Sequence, residues 1–127
     1  MRTKLFIVAA LLISFIFVGI CGATNITFHN CTPGTWVGGV KWVWKDGIRG
    51  NYMGSTYEDV PELELKGVGS LTVDLEPGDY AITQYRPRQI FQQGDKIVVR
   101  PSAIVDFVEI SVGADPFDLV FGGEYCN

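Results

Sequence analysis

The chain has 127 residues, a formal net charge of −4 at pH 7 and a pI near 4.8, with 47% hydrophobic and 13% aromatic side chains. This acidic balance lacks the clustered Lys and Arg that phosphate backbones require; it excludes nucleic acid as a partner and argues against anionic lipid surfaces. A single His and three Cys cannot supply the closely spaced ligand set of a zinc centre.

The N-terminus comes first. Met1–Lys4 carries Arg2 and Lys4, Leu5–Ile20 is a continuous apolar run of 16 residues, and Cys21-Gly22-Ala23 ends it with small side chains. That order is the pattern of a secretory leader, with cleavage expected after Ala23. The run is shorter than the roughly 20 residues that span a bilayer, so a retained anchor is the weaker alternative. A lipid on Cys21 is another, and the bulky Ile20 before it speaks against it. The chain therefore divides into a leader, residues 1–23, and one domain, residues 24–127. The expected location is secreted, extracellular or at the cell surface, without membrane insertion once the leader is gone. The domain keeps eight basic against fourteen acidic residues, a formal charge of −6.

Loss of the leader removes Cys21 and leaves Cys31 and Cys126, an even pair that an oxidising compartment joins. A bridge between two chains is the alternative. Asn25-Ile26-Thr27 and Asn30-Cys31-Thr32 are both N-glycosylation acceptor patterns, the second weakened by Pro33.

Alternation of apolar and polar residues recurs along the domain, with no sustained helical period. Ile26 and Phe28 share one face of a first strand. Val40–Lys45 reads as a second, stopping at Asp46-Gly47. Residues 48–62 give a weak signal, a loop or ragged edge strand, and Glu62–Lys66 alternates again. Leu71, Val73 and Leu75 form a strand that Pro77-Gly78 interrupts before Tyr80, Ile82 and Gln84 continue. Gln89–Gln92 and Lys96–Arg100 flank Gln93-Gly94-Asp95, whose glycine supplies the positive φ of a tight reversal. Ala103–Val112 and Phe117–Phe121 close the chain. Seven or eight short strands without crossover helices predict an all-β fold, a single antiparallel β-sandwich, with a small barrel as the alternative.

The stretch Leu71–Ile82, LTVDLEPGDYAI, resembles the strand, Pro-Gly turn, Tyr, strand pattern of transthyretin-like and PEGA-type modules, which are small immunoglobulin-like sandwiches of exported proteins. The resemblance implies a structural or binding module without catalytic residues to transfer. Independently of it, Pro77 presets φ, and Tyr80 can bury its ring while its hydroxyl reaches backbone.

No catalytic constellation is legible. His29 is the lone imidazole, on a strand between Phe28 and Asn30, and no serine sits in a nucleophile-elbow context. Glu58, Asp59, Glu62 and Glu64, and likewise Asp74, Glu76 and Asp79, are acidic clusters without the spacing of a calcium loop, so no metal or cofactor is expected. The aromatics carry the remaining signal. Trp42 and Trp44 share a strand face with Val40, and the expectation is that both line the core with Lys41 and Lys45 in solvent; a stacking platform for sugar rings on that face is the alternative. Trp36, Tyr52 and Tyr57, in glycine-rich surroundings, are the candidate exposed ligand-binding residues, for glycan or for protein. The sequence thus predicts a non-enzymatic structural or adhesive protein that self-assembles as a homo-oligomer or filament through edge strands, with the first strand as a segment to donate. A secreted carbohydrate-binding module is the alternative.

Overall fold

The computed structural model describes residues 22–126. The leader read over residues 1–23 lies outside them except for its last two residues. Nine strands follow in chain order: β1 (Thr24–Asn30), β2 (Trp36–Val43), β3 (Thr56–Lys66), β4 (Gly69–Leu75), β5 (Gly78–Arg86), β6 (Gln89–Gln93), β7 (Lys96–Arg100), β8 (Ala103–Val112) and β9 (Phe117–Phe121). They form a three-stranded sheet, β4-β1-β9, a four-stranded sheet, β3-β2-β5-β8, and a separate β6-β7 hairpin. The fold is the expected all-β sandwich, with nine strands among the described residues where seven or eight were expected, because the β6-β7 hairpin stands apart from both sheets. Every pairing is antiparallel except β1 with β9, which runs parallel from Ile26↔Phe117 to Asn30↔Phe121.

The sheets enclose one apolar layer. Ile26 and Phe28 from β1, Val73 and Leu75 from β4 and Phe121 from β9 meet Val37, Leu63, Tyr80, Ile82 and Val112 from the other sheet. Each such burial is worth roughly 1.5 to 3 kcal/mol, against about 0 to 1 kcal/mol for an exposed ion pair. The layer, not the surface charges, holds the sheets together. Gly39 on β2 is small because side chains of the flanking strands close over it: a Cβ there would lie 2.8 Å from Ile82 Cδ1 on β5 and 3.1 Å from Leu63 Cδ1 on β3. Tyr80 is buried and its hydroxyl donates to the Glu76 carbonyl at 2.7 Å, as its place after the Pro-Gly turn suggests. Burial, then the charges of Glu76 and Glu62, push that phenol up to about 12.

The strand boundaries show where alternation misleads. β2 begins at Trp36, before the Val40 read from sequence, because Gly38 and Gly39 are strand residues rather than loop. Lys45–Gly47 is a single 3-10 turn that ends the strand, with Asp46 at φ 57°, a conformation Asp tolerates better than most side chains. The weak stretch resolves into a loop up to Ser55 and an edge strand, β3, whose register against β2 shifts between Gly38 and Val40 near Pro61. A proline that donates no hydrogen bond is tolerated at such an edge. Gly94 does turn the β6-β7 hairpin with φ 63°. β1 is flanked on both sides, so it is not a free edge to donate; the open edges are those of β3, β8, β4 and β9.

Cys31 and Cys126 are joined, with Cα atoms 5.2 Å apart and a sequence separation of 95. The Cys31 amide also donates to the Phe121 carbonyl at 3.0 Å. The bridge therefore locks the parallel β1/β9 pair where the two strands end.

Candidate functional site

β2 decides where the aromatics go. Val37 and Gly39 point into the core, so Trp36, Gly38, Val40 and Trp42 take the opposite, outer face of the four-stranded sheet. The expectation that Trp42 and Trp44 line the sandwich core is corrected: the alternation was right and its polarity was inverted. Lys41 is the residue on the inner side, at the end of the core. Its ammonium reaches out to Glu76 at 3.2 Å and lies 5.9 Å from the centre of the Tyr80 ring, so the aliphatic stem lies along apolar surface while the charge stays wet.

On the outer face Trp42 and Trp44 stack, with ring centres 4.9 Å apart and planes 10° from parallel. Tyr52 stands edge-on to both, at 5.4 and 5.3 Å, and Tyr57 edge-on to Trp42 at 6.1 Å. Tyr57 arrives there because it is the cross-strand partner of Trp42 on β3. Tyr52 arrives through the loop between β2 and β3, which closes on itself: the Lys45 amide donates to Ser55 Oγ at 2.9 Å, and Ser55 Oγ donates to the Asn51 carbonyl. Compact self-bonded loops of this length often carry function. Of the three ligand candidates read from sequence, Tyr52 and Tyr57 thus meet in one cluster. Trp36 does not. It lies six residues up β2 from Trp42, about 20 Å along an extended strand, tilted against Tyr85 and under the Lys66 ammonium.

Polar groups ring the cluster. Asp79, at the start of β5, accepts from Trp44 Nε1 at 2.7 Å, Arg49 Nε at 2.8 Å and Ser111 Oγ at 2.7 Å, and pairs with Arg49 Nη2 at 2.7 Å. Burial alone would push its carboxyl up; the hydrogen bonds from Arg49, Ser111 and Trp44 and the guanidinium charge outweigh it and hold the group below the usual carboxylate range. The Tyr52 hydroxyl donates to Glu109 on β8 at 2.8 Å, and that bond, followed by burial, raises the phenol. Together these residues border a cleft of about 450 Å³ over β2, β5 and β8. Trp42 Nε1 is buried without a hydrogen-bond partner among the described residues, a deficit of roughly 1 to 3 kcal/mol that a phenylalanine would not carry.

The depressed Asp79 carboxyl makes the site acid-sensitive. The folded state binds this proton more weakly than the unfolded chain, so the group contributes stability above the ordinary aspartate value near 3.8 and loses it as pH falls further. Asp79→Asn should flatten the decline of the melting temperature between about pH 4 and pH 2 relative to the unmodified chain. Parallel slopes for the two proteins would remove Asp79 as the acid-labile group.

The other sequence candidates fall elsewhere. His29 Nδ1 lies 2.7 Å from Ser70 Oγ and Nε2 lies 3.1 Å from Asp118 Oδ2. This has the composition of a catalytic triad. It crosses the outer face of the β4-β1-β9 sheet, however, with the carboxylate 66% exposed, where a working triad buries the acid behind the imidazole. Among the described residues no three His, Cys, Asp or Glu side chains are grouped to hold a metal ion. Asn30 is 1% exposed, and its amide nitrogen donates to the Thr35 and Gly67 carbonyls, both at 2.9 Å. A glycan on that nitrogen is incompatible with this fold, whereas Asn25 is exposed. Comparison with protein-family models, curated proteins and solved structures returns no match, so the site stands on its own geometry.

Proposed function

We propose that the chain is an exported, non-catalytic adhesive module of the cell surface or its surroundings, and that it binds a neutral saccharide in the cleft beside Trp42, Trp44 and Tyr52. One observation carries the reading: the two indoles stand half-buried on the outer face of the sheet, outside the core, next to Arg49, Asp79 and Glu109. Sugar rings offer apolar C–H faces that suit aromatic surfaces and hydroxyls that suit a guanidinium and carboxylates in the same pocket. Arg49 argues against a cationic ligand, since an ammonium would have to approach a guanidinium that is 66% exposed. Asp79 argues against hydrolysis. It is held ionised and occupied by its donors, the opposite of a proton-donating glycosidase acid.

The secretory pattern of residues 1–23, the disulfide and the LTVDLEPGDYAI resemblance to transthyretin-like and PEGA-type immunoglobulin-like modules all favour export and a binding or structural role. Where the host glycosylates, the sugar belongs on Asn25.

Titration of intrinsic tryptophan fluorescence with short glucose and N-acetylglucosamine oligomers, after a glycan array has chosen among them, tests the site. Trp44→Ala and Tyr52→Ala should each weaken binding by about tenfold or more, while Trp36→Ala, far up the strand, should leave it unchanged. Equal losses in all three variants, or silence across the array, would sink the assignment.

A further inference from the structure

The β6-β7 hairpin is bonded to neither sheet of the sandwich. Two-stranded hairpins are marginal in water unless a face is covered. Cross-strand partners share a face, so Ile90, Val99 and Ile97 project together on one side of the arm and are 63%, 47% and 73% exposed. The arm also concentrates charge. Arg86, Arg88, Lys96 and Arg100 fall within fifteen consecutive residues that hold one acid, Asp95, whereas the rest of residues 24–127 carries four basic side chains against thirteen acidic ones.

A complementary surface lies at the far end of the molecule. Edge strand β3 of one sheet and β4 with the turn after it on the other present Glu58, Glu62, Asp74 and Glu76 around a groove of about 370 Å³, where Lys41, paired with Glu76, is the one base against these acids and Leu75 and Tyr80 are among the lining residues. The groove sits where Lys41 lies opposite Glu58 and Tyr80 in the strand register, while the arm leaves β5 at the opposite end, beyond the Trp36↔Tyr85 register pair. A chain's own arm therefore starts at the wrong end of the sheet to fill its own groove.

We infer that the β6-β7 arm of one chain docks into the acidic β3/β4 groove of a second copy, its apolar face over the groove floor and its basic residues against the carboxylate rim. The contact joins two different surfaces, so it propagates head to tail into rings or filaments. A membrane fits the arm less well: its tip, Gln92-Gln93-Gly94-Asp95, is polar and ends in a carboxylate, and a bilayer would take that tip before the isoleucines.

Sedimentation equilibrium of the mature disulfide-bonded chain, at low salt and at 0.5 M NaCl, reads the association. The average mass should rise with protein concentration and fall with salt. Ile97→Asp and the pair Arg88→Glu/Lys96→Glu should each weaken self-association at least tenfold, as should Glu58→Lys/Glu62→Lys on the groove. These side chains are exposed, and unchanged circular dichroism would show that the fold survives. Mixing the arm-reversed with the groove-reversed chain should restore assembly that neither shows alone, a result general stickiness cannot produce. A monomer at every concentration and salt, association indifferent to the arm variants, or an arm that binds phosphatidylserine vesicles without self-association would each overturn the inference.

Discussion

Replacing Cys31 and Cys126 by serine lowers the unfolding free energy by about 4 to 5 kcal/mol, the loop-entropy value for a link that closes nearly a hundred residues. The bridge spans 95 positions in sequence, so almost the whole domain lies inside the closed loop. In the folded state the cysteines sit at the ends of two paired neighbours, β1 and β9, which the Cys31 to Phe121 backbone bond and the parallel register already hold together. The effect therefore falls on the unfolded chain, which gains freedom when the link is cut. Domains of this size are stable by about 5 to 15 kcal/mol, so the loss takes a large share of the total. For roughly 100 residues it corresponds to a drop in melting temperature on the order of 20 °C. Thermal and urea unfolding of the two proteins measure it. A change of only a few degrees would mean that the unfolded chain keeps its ends together without the bond.

The disulfide was legible from counting: with Cys21 set aside as part of the apolar N-terminal run, three cysteines leave one pair. The strands from β4 to β9 were legible for a similar reason. They are alternating or β-branched runs whose turns carry glycine or proline, so each could be placed to within a residue or two without knowing its neighbours. β2 was the failure. Gly38 and Gly39 interrupt the pattern, and the tempting rule that tryptophan goes inside and lysine outside assigned its two faces the wrong way round. The residue that settles the polarity is Val37, which extends the period back past the glycines and puts Gly39 and Lys41 on the core side. Gly39 is a core residue for its smallness, because Ile82 and Leu63 occupy the space a side chain would need. The polar half of the site was not legible at all. Arg49, Asp79, Glu109 and Ser111 come from a loop and two strands up to 62 positions apart, and only the β2-β5-β8 order brings them together.

Asn30 illustrates how one motif can point to the wrong role. As sequence it is a glycosylation acceptor; in the fold it is the centre of a buried polar knot. Its amide oxygen accepts from Gln84 Nε2 at 2.9 Å, Thr35 Oγ1 at 3.2 Å and the Thr32 amide at 3.2 Å, while its nitrogen serves the Thr35 and Gly67 carbonyls. Gln84 and Thr35 are buried as well, and water cannot readily replace what is lost. Asn30→Ala strands several of these partners at once. At roughly 1 to 3 kcal/mol for each buried polar group left unpaired, and with the Gln84 to Thr35 bond at 3.0 Å remaining as partial compensation, the expected loss is about 3 to 5 kcal/mol.

Cavity formation alone would give a different signature. Gln84→Leu removes a donor and its need together, so it should be milder than Asn30→Ala, and the double variant should lose less than the two single losses combined, because both changes dismantle one network. Asn30→Asp separates geometry from charge. It keeps the shape and the acceptor but gives up both amide donors and places a carboxyl where burial raises its pKa. The folded state then binds that proton more tightly than the unfolded chain, so Asn30→Asp should gain stability relative to Asn30→Ala as pH falls towards 4, since the protonated acid can donate again to one of the two carbonyls. Chemical denaturation of the four variants across pH decides the matter. Strict additivity, or an Asn30→Asp curve parallel to that of Asn30→Ala, would show that Asn30 acts through its volume rather than through its hydrogen bonds.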